Sequence, residues 1–154
     1  MRKFFLSTIM LALALAASAP AASAEEKTVE QLKAEAEHAE PGQQGRLYAE
    51  IADRLVAVAD KQFTDAESVK GHATVQEILQ YATKAHDLAI ETRKKMKETE
   101  KSLRQCRHRL ENMRRTLAAE DRPSVEAVEK QLEKLMEDVL ESMFAPPNSK
   151  KDKK

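Results

Sequence analysis

The chain has 154 residues, 42% of them hydrophobic and 34% charged, with three Gly, no Trp and 4% aromatics. That length allows one ordinary domain, and the composition suits long helices better than a sheet. Formal charge is zero, and without residues 1–24, which carry only Arg2 and Lys3, 24 positive residues face 26 negative ones, net −2. Such a balance gives no global drive toward nucleic acid or an anionic membrane, and a single cysteine excludes an internal disulfide.

Residues 1–24 read as a secretory signal peptide. Arg2 and Lys3 form a basic start, Phe4 to Ala17 an apolar core short for a membrane span, and Ala22-Ser23-Ala24 a cleavage site. The competing reading is a retained anchor. No Cys lies near the site, which argues against a lipoprotein. The expected product is periplasmic or secreted, with no stable membrane span after cleavage. The short, alanine-rich signal points to a bacterial source.

Residues 25–145 are expected to form one helical domain. Thr28-Val29-Glu30-Gln31 fits a capping box that starts a first helix, in which Val29, Leu32, Ala36 and Ala39 share a face until Pro41-Gly42 ends it. A second helix is predicted from Gln43 to Phe63, with Tyr48, Ile51, Leu55, Val58 and Gln62 in heptad spacing. Thr64-Asp65-Ala66-Glu67 offers another capping box, so a short turn should lead into a third helix near Asp65.

The strongest signal follows. Val75, Ile78, Ala82, Ala85, Ala89, Thr92, Met96, Thr99, Leu103, Cys106, Leu110, Met113 and Leu117 recur at 3-4 spacing without an intervening Pro or Gly. This predicts one unbroken helix from about Asp65 to Leu117. Asp121-Arg122-Pro123-Ser124 then restarts the pattern, and Val125, Val128, Leu132, Leu135 and Val139 carry a last helix to about Phe144. Residues 146–154 read as a disordered basic tail.

The expected fold is therefore all-α, with three to four helices: elongated antiparallel, coiled-coil-like hairpins sharing one long central helix. A compact four-helix bundle is the rival. It requires a break between Glu91 and Ser102, where the run of Glu, Thr, Lys and Met contains no helix breaker.

No catalytic, cofactor-binding or metal-binding residues are assigned. Nucleophile elbow, phosphate-binding glycine loop and His-Glu-x-x-His are all missing. Glu35-x-x-His38 matches only half of a di-iron motif. His72 and His86 are fourteen residues apart, about 21 Å along a helix, too far to share one metal. Each histidine, His108 included, reads as a surface or flank residue. Cys106, inside the stripe, reads as a small apolar residue, with an intermolecular disulfide as the alternative.

Residues 93–115 hold ten Lys/Arg against three acids, and residues 116–144 hold eight acids against three bases. Complementary charge between antiparallel helices explains this better than phosphate tracking. No aromatic interleaves with the basic run, so nucleic acid is not an expected partner. Glu126, Glu129, Glu133, Asp138 and Glu141 are the expected partners of the arginines. Met136, Leu140, Met143 and Phe144 are expected to form an apolar patch beside Leu47 and Tyr48. That patch is either covered by the first helix (Val29, Leu32, Ala36) or used as a contact site.

Leu47 to Ala89, with Phe63 near the turn and Ala82 and Ala85 on the inner face, resembles a tetratricopeptide-type helix pair, though it would be one repeat where such arrays need several. The exported hairpin is similar in general shape to periplasmic chaperones and stress sensors. Two functions follow as expectations: a non-enzymatic exported protein that works by contact with another protein or itself, or a small-ligand or metal-binding helical protein of the cell envelope.

Overall fold

In the computed structural model, residues 27–146 are described, and among them five helices are the only regular elements. These are α1 (Val29–His38), α2 (Pro41–Thr64), α3 (Ser68–Thr92), α4 (Met96–Thr116) and α5 (Arg122–Phe144). The expected signal peptide, residues 1–24, and the expected tail from residue 147 onward lie outside the described residues.

The start of α1 follows from its sequence. The Gln31 N–H donates to Thr28 Oγ1 at 3.3 Å, and the Thr28 N–H donates to Gln31 Oε1 at 2.9 Å. These two bonds satisfy donors that a helix start leaves free. The α1–α2 break also falls as expected, except that Pro41 opens α2 instead of closing α1; proline lacks only an N–H that the first turn does not use. Gln44 then donates to the Ala36 carbonyl at 2.9 Å and ties the two ends together.

The capping box expected at Thr64 does not form. Thr64 is the last residue of α2, and its hydroxyl bonds back to the Asp60 carbonyl. Ala66 takes a positive φ of 59°, and α3 begins without a side-chain cap.

The long central helix is overturned. The chain breaks at Arg93-Lys94-Lys95, where Arg93 and Lys95 adopt left-handed φ of 52° and 54°. The helix count is five instead of three to four, and the compact rival is the arrangement found. The break is made by tertiary contacts. The Arg93 guanidinium donates to the Ser142 carbonyl at 2.8 Å and the Ala145 carbonyl at 3.1 Å, capping the negative end of α5. Lys94 lies against Gly42 at the start of α2, and its N–H reaches Thr92 Oγ1 at 3.2 Å.

α2 and α3 run antiparallel: Gly45 near the start of α2 faces Ala85 and Ala89 near the end of α3, while Phe63 faces Gly71. α4 and α5 are likewise antiparallel, with Arg114 joined to Glu129 near their connection and Met96 clustered with Val139 at the far end. The two pairs lie side by side, α2 on α4 and α3 on α5, while the backbones of α2 and α5 stay apart across the bundle. One core runs through all five helices and includes Leu32, Ile51, Ile78, Leu103, Val125 and Leu132, each fully buried. Fully burying such side chains stabilises by about 1.5–3 kcal/mol each.

Candidate functional site

Three places gather chemically useful side chains. The first is the seam between α2 and α4. Two shallow cavities follow it, one of about 350 Å³ lined by Val56, Asp60, Asn112 and Met113, and one of about 300 Å³ lined by Arg46, Glu50, Lys101 and Gln105. Arg109 borders both and reaches Asp53 at 3.4 Å. Its partner is therefore on α2 and not on α5, contrary to the expected pairing. Only part of the basic run meets the acids of α5: Arg114 Nε donates to Glu129 at 2.7 Å, which holds the guanidinium pKa above its ordinary value. Arg104 and Arg115 pair within α4, with Glu100 and Glu111.

The second place is the start of α3. His72 Nε2 is 2.8 Å from Asp121 Oδ1, and Nδ1 is 2.7 Å from Ser124 Oγ; Ser68 also donates to Asp121 at 3.3 Å. The Phe63 ring meets the imidazole edge-on at 5.3 Å. Serine, histidine and aspartate in mutual contact invite comparison with a nucleophilic triad. Ser124 Oγ also has a backbone acceptor, the Asp121 carbonyl at 3.0 Å, which competes with the ring for its proton. The trio fastens α3 to the α4–α5 turn. Nothing in the sequence ties Asp121 and Ser124 to a histidine some fifty residues earlier. His86, the other α3 histidine, is mostly buried against α5, with Nδ1 at 2.8 Å from Asp87 and Nε2 at 3.6 Å from Asp138, too long for a hydrogen bond.

The third place is the end of the bundle at the α5 C-terminus. The expected patch is divided there. Met136 is buried in the core, and Met143 packs on a small cluster of Ala89, Met96 and Val139. Leu140 is half-buried and Phe144 is 85% exposed. Leu140 and Phe144 are four residues apart and share one helix face. The patch does not adjoin Leu47 and Tyr48: Leu47 is buried, and Tyr48 stacks at 5.7 Å on Tyr81, with Lys84 over both rings. Nor does α1 cover it. α1 packs on α2, burying Leu32 and Ala36, and Lys33 reaches Glu77 of α3 at 2.7 Å.

Cys106 is fully buried, and desolvation pushes its thiol pKa up, so an intermolecular disulfide has no exposed thiolate to start from. Glu35, half of the di-iron motif, is paired with Lys27. Among the described residues no three His, Cys, Asp or Glu side chains gather as a metal site, and no helix is long and apolar enough to cross a membrane. No protein-family model matches the chain, and neither a curated protein nor a solved structure matches it.

Proposed function

We propose that this is an exported, non-enzymatic helical protein that acts through contact with another protein or with itself, as a scaffold, chaperone-like factor or self-assembling unit. The observation that carries the reading is the apolar face at the end of α5, where Phe144 is 85% exposed one turn from the half-buried Leu140. Keeping an aromatic ring in water forgoes roughly 1.5–3 kcal/mol that burial would supply, and contact recovers it. Export to the periplasm or beyond rests on residues 1–24; an intact mass that begins at Glu25 supports it, and a soluble product retaining those residues removes it.

The contact test is a pull-down from the native envelope with the mature protein and with Leu140→Glu plus Phe144→Glu. Loss of a specific band, or of self-association in sedimentation, supports the reading. Unchanged capture and a monomer at all concentrations refute it. A second reading, a small-ligand protein, draws on the α2–α4 cavities around Arg109. A stoichiometric small molecule in the native mass spectrum that is lost in Arg109→Ala would favour it.

A further inference from the structure

The Arg93–Lys95 turn is an unusual way to end a helix. No Gly or Pro lies in it, yet two of its three residues stand in the left-handed region. That conformation is unfavourable for an L-residue, because Cβ crowds the next carbonyl. Across the turn the apolar register does not slip: Ala85, Ala89, Thr92, Met96, Thr99 and Leu103 keep the 3-4 spacing of one continuous helix. Local sequence and closed structure therefore disagree at this turn.

From this disagreement we infer that Arg93–Lys95 is a hinge, and that α3 and α4 straighten into one helix when a second copy of this chain supplies the contacts the turn gives up. This deepens, and rests on, the contact reading above, with a second copy as the partner. In the closed chain the α2–α3 pair meets the α4–α5 pair through Asp53 with Arg109, His72 with Asp121 and Ser124, and Arg93 with the end of α5. In the open chain each half keeps its own antiparallel partner, and those seams are left without cover. Two open chains satisfy each other's seams with the same residue pairs, so the exchanged dimer needs no new interface. The exchange relieves left-handed strain at two positions in each chain and restores the helical hydrogen bonds that the turn interrupts.

Charge sets the conditions. Arg93, Lys94, Lys95 and Lys97 sit together at the hinge, and a straight helix would place Arg93 and Lys97 one turn apart. Like charges at that spacing oppose the helix, and salt screens them. The two hinges would also meet near the dimer axis. Raising ionic strength should therefore favour exchange.

The experiment compares the hinge double variants Arg93→Gly plus Lys95→Gly and Arg93→Ala plus Lys95→Ala in the mature chain. Both lose the same side chains, Arg93 bonds included, and differ only in backbone preference. Glycine accepts the left-handed turn, while alanine favours the helix by about fivefold per site. With both hinges of the dimer counted, the dimerisation constants from sedimentation equilibrium, taken after refolding at high concentration, should differ by at least roughly a hundredfold. Spin labels on Thr83 and Lys101, both exposed, read the hinge directly. A straight helix separates the two positions by about 27 Å along its axis at 1.5 Å per residue. In the monomer their backbones lie nearer, across the diagonal of the bundle, about 11–14 Å between axes when neighbouring helices are 8–10 Å apart. A dimer enriched in the alanine variant and showing the long distance within one chain supports the exchange. Equal dimerisation of the two variants, a dimer that keeps the short distance, or monomer in both after refolding overturns it. A short-distance dimer that is lost on Leu140→Glu plus Phe144→Glu would overturn the hinge while leaving the contact reading standing.

Discussion

The α4–α5 connection and the α3–α4 connection both reverse the chain, but by different means. Between α4 and α5, Leu117 ends the helix in an extended conformation, Pro123 stands in the first turn of the next, and Arg122 Nε closes the loop on the Leu117 carbonyl at 3.0 Å. Each residue there favours the conformation it adopts. Between α3 and α4, Arg93 and Lys95 stand in a conformation that neither favours; Arg93 is tied to carbonyls at the far end of α5, and Lys94 between them packs against Gly42. A turn of the first kind forms from local preference. A turn of the second kind exists only while the rest of the bundle surrounds it.

The largest effects should test whether the two sides of the strained turn share one core. Ile78 on α3 and Leu103 on α4 are both fully buried in the same cluster. Truncating either to Ala should cost about 2–5 kcal/mol, read by urea unfolding. A single cooperative transition is expected in both variants; two separate transitions would mean that the helix pairs fold independently.

Next is the close approach of α2 to α3. A Cβ on Gly45 would stand 3.3 Å from the Ala85 carbonyl and 3.4 Å from the Ala89 amide, neither of which can step aside. Gly45→Val should cost about 1–3 kcal/mol through overpacking. At Gly42 the obstacle is the flexible Lys94 side chain, so Gly42→Ala should stay within about 0.5 kcal/mol of the parent protein. If Gly45→Val is also neutral, α2 and α3 do not approach as closely at Gly45 as the 3.3 Å spacing implies.

The two connections separate more finely. Asp121→Ala removes the acceptor for His72 and Ser68 and should cost about 1–2 kcal/mol. Lys95→Gly should instead raise stability by about 0.4–1 kcal/mol, because glycine adopts the left-handed conformation freely. Thermal midpoints moving in opposite directions would confirm the contrast; a Lys95→Gly midpoint below the parent would show that the turn is not strained.

The smallest effect belongs to the exposed pairs. The Glu126 carboxyl is held below its ordinary value of 4.5 by its hydrogen bond from Lys130. Its contribution is present above pH 4.5 and is lost as pH falls through the lowered value. Glu126→Gln should barely shift the midpoint at neutral pH and should flatten its dependence slightly between pH 5 and 3. A large neutral-pH shift would show the pair to be more than a solvated surface contact.

Much of this protein was legible residue by residue. The 3-4 spacing of apolar residues placed four core-facing helical stripes, because an α-helix presents that spacing on one face whatever surrounds it. Thr28 and Gln31 gave the first cap, and Pro41 and Pro123 marked two breaks, because their constraints act within one turn of chain. The tertiary structure alone decided the rest. Arg109 pairs with Asp53 because α4 lies beside α2, which no local pattern records. His72 meets Asp121 and Ser124 because α3 and α5 run parallel. Between Glu91 and Ser102 the sequence allowed a continuous helix, and folding back instead costs left-handed strain at two residues. That cost is outweighed by burying the two helix pairs against each other, a gain created by residues far from the turn in the chain.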